Sequence, residues 1–69
     1  MEIRIPLEIA LLWIGSEFTS DCDVYQFKFG GAMLQIQLFE SHAEVLSTKD
    51  FSVEALMECY DHFVLIGTY

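Results

Sequence analysis

The first five residues, MEIRI, alternate apolar and charged side chains, the period-two pattern of a short strand. Pro6 lacks a backbone donor and so ends that strand or enters the first turn of a helix. Beyond it two periodicities compete. At 100° per residue Leu7, Ala10, Leu11, Ile14 and Phe18 share one apolar helical face. Ile3, Ile5, Leu7, Ile9, Leu11 and Trp13 also alternate, as one long strand requires. Pro6 and the unbroken apolar run from Ile9 to Ile14 favour a helix over residues 6–18.

After the polar connection SEFTSDCD, Tyr25, Phe27 and Phe29 alternate with Gln26 and Lys28. Past Gly30-Gly31, Leu34, Ile36 and Leu38 alternate with Met33, Gln35 and Gln37. Two alternating runs around a glycine pair predict a β-hairpin, because glycine takes the positive φ of a tight primed turn at little cost. Phe27 and Ile36 are expected on the buried side, Lys28 and Gln35 on the exposed one. Ala43 to Thr48 predicts a third strand. The stretch STKDFSVEALMECYDHFVL predicts a last helix capped by Asp50 or Ser52, with Val53, Leu56, Met57, Tyr60, Phe63 and Val64 on its buried face. The expected fold is a single α+β domain over residues 1–69. It is a small antiparallel β-meander, with its central hairpin at Gly30-Gly31, packed with two helices in the order β-α-β-β-β-α.

A chain of 69 residues has one small core, and 54% of its residues are hydrophobic. The predicted first helix has almost no polar side, since Ile9, Leu12 and Trp13 lie opposite Leu7, Leu11 and Ile14. One small sheet covers one of these faces. Ile9, Leu12 and Trp13 are therefore expected to meet another chain, a second copy first, with Trp13 as the anchor.

Eleven acidic residues stand against Arg4, Lys28 and Lys49, a formal net charge of −8. Phosphates are repelled by such a surface, which argues against direct binding of nucleic acid or anionic lipid and for a basic partner. No apolar run approaches the ~20 residues that span a bilayer, and residues 1–15 lack the basic and small-residue features of a secretory leader. Two cysteines, Cys22 and Cys59, are too few for a disulfide scaffold and suit reduced thiols in the cytoplasm.

Catalytic candidates give way to simpler roles. Cys59 and His62 are three apart, but zinc needs three or four ligands and nothing completes the set. As a nucleophile, Cys59 would sit among Glu54, Glu58 and Asp61, which oppose a thiolate. Gly30-Gly31 lacks the following helix and lysine of a phosphate cradle. The aromatic row Tyr25, Phe27, Phe29 has only Lys28 beside it, too little positive charge for a base-stacking platform. Neither catalysis nor a metal or cofactor is expected.

In size, acidity and want of a catalytic set the chain resembles the small inhibitors made by phages and mobile elements. Some of these present carboxylates where phosphates would lie and so block CRISPR effectors and restriction systems. The resemblance implies an anti-CRISPR-like, DNA-mimicking inhibitor. On this reading Glu54, Glu58 and Asp61 form one acidic row, rising in steps of about 6 Å and 4.5 Å along a helix. Glu17, Asp21 and Asp23 supply a second cluster if the fold brings the two together. The competing expectation is a small assembly subunit, an obligate homodimer whose acidity serves solubility.

Overall fold

The computed structural model describes all residues, Met1–Tyr69. The chain runs through β1 (Glu2–Pro6), α1 (Leu7–Ile14), β2 (Val24–Phe29), β3 (Ala32–Leu38), β4 (His42–Ser47), α2 (Val53–Cys59) and β5 (Val64–Thr68). Single 3-10 turns follow each helix, at Gly15–Glu17 and Tyr60–His62. The strands form one antiparallel sheet in the order β1-β4-β3-β2-β5. The meander and both helices stand as expected, with a fifth strand added.

The hairpin follows from its glycines. Gly30 and Gly31 have φ of 54° and 76°, the two positive values of a primed two-residue turn. Phe29 therefore pairs with Ala32, and Tyr25 with Ile36. Phe27 and Ile36 are buried and Lys28 is exposed. Gln35 is half-buried rather than exposed, because its amide accepts a hydrogen bond from Gln26 Nε2 across the strands at 3.2 Å. Gly30→Ala with Gly31→Ala is expected to lower stability by about 1–2 kcal/mol per residue, the cost of a left-handed backbone for a side chain with a Cβ. Gly30→Asn alone should be tolerated, since asparagine accepts that conformation. Thermal unfolding of the two variants checks both statements.

Inward residues of the sheet (Ile5, Tyr25, Phe27, Leu34, Ile36, Ala43 and Val45) meet Ala10, Trp13 and Ile14 of α1 and Leu56 of α2 in one apolar core. No polar residue is buried there. Since every buried sheet residue belongs to one face, both helices lie on that face and the other is uncovered.

Both helices are shorter than their apolar patterns predict. The first is expected over 6–18 but ends at Ile14, where Gly15 turns to φ 61° and Phe18 is already extended. Pro6 closes β1 and forms the N-cap of α1. Ser52, not Asp50, caps α2, its Oγ accepting from the Ala55 N–H at 3.1 Å. That helix ends at Cys59, and Phe63 is extended. Val64, expected on the helix's buried face, instead opens β5 and is 59% exposed. Val53, expected on the same face, is also exposed. Val64–Thr68 has the β-branched residues that suit a strand, and it pairs with β2.

Candidate acidic interface

Residues 7–23 and 50–63 are the two segments that carry the helices. They carry Glu8, Glu17, Asp21, Asp23, Asp50, Glu54, Glu58 and Asp61, with no lysine or arginine among them. All eight acids are exposed. The remaining residues set Glu2, Glu40 and Glu44 against Arg4, Lys28 and Lys49. Arg4 pairs with Glu44 at 3.9 Å, and the Lys49 ammonium lies 3.5 Å from the Gly30 carbonyl at the hairpin turn. The net charge of −8 is therefore carried by these two helix-bearing segments, and the remaining residues are balanced.

The two expected acidic clusters meet at one point. Glu17, from the turn after α1, and Asp61, from the turn after α2, line the same shallow cleft of about 270 Å3. Its walls include Leu12, Tyr60 and Phe63, with Phe27 of β2 among the residues beneath. Within these two segments the carboxylates have few cations. Asp61 lies 3.8 Å from His62, Asp50 lies 3.9 Å from the N-terminal ammonium, and Glu17, Asp21, Asp23, Glu54 and Glu58 make no ion pair. Asp61 belongs to a 3-10 turn, so the even row expected through Glu54, Glu58 and Asp61 stops at Glu58.

The loop that carries Asp21 and Asp23 is tied down from beneath. The fully buried Tyr25 ring holds its hydroxyl against that loop. The hydroxyl accepts from the Thr19 N–H at 3.0 Å and donates toward the carbonyls of Thr19 at 2.9 Å and Cys22 at 3.0 Å. Buried polar atoms of this kind hold a loop because water cannot replace them.

The expected apolar interface is corrected. Trp13 is 3% exposed, its indole N–H directed at Met57 Sδ at 3.1 Å and its ring edge-on to Phe63 with centroids 6.0 Å apart. Ile9 is half-buried against the same core. The chain itself covers the second face of α1, so no other chain is needed to hide Trp13. Leu12 alone of the three remains exposed, at 44%.

A larger depression of about 540 Å3 lies on the uncovered sheet face, lined by Met33, Leu46, Gln26 and Gln35 among others. The Gln26 and Gln35 amides there bond to each other.

Compared with protein-family models, curated proteins and solved structures, the chain shows no match. The fold defines a class by geometry alone: a five-stranded antiparallel α+β domain with two helices on one face of its sheet. No helix is long and apolar enough to cross a membrane.

Proposed function

We propose that the protein is a non-catalytic binding protein, an acidic inhibitor that sets its helical layer into a basic site on a partner. The partner class that fits is a nucleic-acid-binding enzyme or complex, whose groove is built for phosphates. A phage or mobile-element inhibitor acting in the cytoplasm, anti-CRISPR-like in kind, is the setting this reading favours, and the free thiols of Cys22 and Cys59 are compatible with it. The observation that carries the reading is the segregation of charge. A coat that served solubility alone has no reason to leave every lysine and arginine outside the two helix-bearing segments and eight exposed carboxylates within them.

The test is capture of partners from an extract of the native cell on immobilised protein, with identification by mass spectrometry. Proteins with nucleic-acid grooves should be retained at low salt and displaced by duplex DNA. They should also be released toward 1 M salt, where screening shortens to about 3 Å. Glu54→Lys with Glu58→Lys should abolish capture while changing stability by no more than about 0.5 kcal/mol each, because both positions are exposed. Capture that survives both the double reversal and high salt would sink the acidic-layer reading.

A further inference from the structure

Glu17 and Asp61 line one cleft, and neither helix-bearing segment that supplies them holds a lysine or arginine. The lysine closest in sequence to any residue of the cleft is Lys28, next to Phe27. Successive strand side chains point to opposite faces. Phe27 is buried in the core with the helices, so Lys28 is exposed on the other side of the sheet. Arg4 lies at Glu44, and Lys49 at the Gly30 carbonyl. The basic group beside the cleft is the His62 imidazole, 3.8 Å from Asp61.

A second source of negative field is the helix itself. The last turn of α1 lines the cleft through Leu12, Trp13 and Ile14 and carries no basic residue. A helix C-terminus bears partial negative charge, which a lysine or arginine in that turn commonly offsets. Two carboxylates and a helix end therefore act together over walls that are mostly apolar.

That combination discriminates among cations. Calcium takes about 6–8 oxygen ligands, and no group of three acidic, histidine or cysteine side chains is placed to hold a metal. An ammonium is compact and strongly hydrated, and it sheds water at a cost against Leu12, Tyr60 and Phe63. A guanidinium is flat and weakly hydrated, stacks on aromatic rings and forks onto carboxylates, while its methylene stem covers apolar wall. The cleft, about 270 Å3, falls below the ~300–1,000 Å3 of small-molecule sites and suits one side chain. A second copy is a poor source of it. Its approach would set a net charge of −8 against −8, and its one arginine, Arg4, is already paired with Glu44.

We propose that this cleft is the anchor site for a single arginine side chain of the partner, with the guanidinium held by Glu17 and Asp61 and the stem laid along Leu12, Tyr60 and Phe63. The proposal rests on the acidic-layer reading above and names the group of the partner that is gripped. It is tested by titrating the isotope-labelled protein, at about 0.1 M salt, with the capped peptide Gly-Arg-Gly. The lysine form is compared with it, as is the citrulline form, which keeps the shape of arginine without its charge.

The arginine peptide should move the amide signals of residues 15–17 and 60–63, and it should bind more tightly than the lysine form, with citrulline silent. Glu17→Gln with Asp61→Asn should weaken binding about tenfold. Glu8→Gln with Glu54→Gln removes the same charge near the starts of the two helices and should weaken it by no more than about twofold, since those positions lie about a screening length away. Equal losses from the two double variants overturn the proposal, because the cation is then held by the general field. Silence of the cleft residues up to about 10 mM peptide also overturns it, as does lysine binding as tightly as arginine. Cleft signals that move with the protein's own concentration before peptide is added overturn it in favour of a second copy. The two readings fail separately. A silent cleft with salt-sensitive partner capture removes the anchor site alone. A responsive cleft in a protein whose capture survives Glu54→Lys with Glu58→Lys removes the acidic layer alone.

Discussion

Trp13→Ala is expected to destabilise the domain by about 3–5 kcal/mol, the usual cost of deleting a buried large aromatic side chain. Folded domains have only about 5–15 kcal/mol in total, and one of 69 residues sits near the lower end. The variant should therefore populate the unfolded state measurably at room temperature. Trp13 joins the two halves of the helical layer, since Met57 and Phe63, its partners at 3.1 Å and 6.0 Å, come from the second half. Denaturant titration followed by far-ultraviolet circular dichroism reads the loss as a lower midpoint. A midpoint equal to that of the parent would place Trp13 outside the core.

The second large effect is expected at Leu56, the one side chain of α2 that is fully buried. Leu56→Ala should cost about 2–5 kcal/mol. A seven-residue helix is far too short to persist on its own in water, where about 12–15 residues are marginal. The damage should therefore be uneven. Hydrogen exchange of the amides of residues 53–59 should accelerate more than that of β2 and β3, and Glu54 and Glu58 should lose their fixed positions with it. Uniform acceleration across the sheet would mean that α2 has no separate stability to lose.

The hairpin was legible in the sequence because all its determinants are local. A period of two on both sides of Gly30-Gly31 permits one register, and Phe29 against Ala32 is that register. The α+β order was legible for similar reasons. What escaped was decided by contacts distant in sequence. Nothing near Trp13 announces that Met57 and Phe63, more than forty residues on, will cover it, so α1 looked as if it needed a partner. The last helix looked longer because Phe63 and Val64 continue its apolar face by arithmetic, although V-L-I-G-T carries a competing strand preference.

For the candidate interface, the acids were identifiable but their grouping was not. Glu17 and Asp61 share a cleft only because the turns after α1 and α2 end side by side. Glu8 opens α1 and Asp50, beside Lys49, precedes α2, and neither falls in a run of acids that would have singled it out.

The separation of charge between the helix-bearing segments and the rest has a consequence for how the molecule travels. Its centre of charge is displaced from its centre of mass, toward the helix-bearing segments, which gives the protein a permanent electric dipole. A uniformly coated protein of the same net charge would be drawn to a positive surface in any orientation. This one experiences a torque as it approaches, within the ~8–10 Å over which salt leaves the field unscreened, and turns its helices forward before the surfaces touch. Encounters then begin aligned, so the association rate should exceed that of a charge-matched variant with its acids redistributed over both faces, and the advantage should fade as salt is raised.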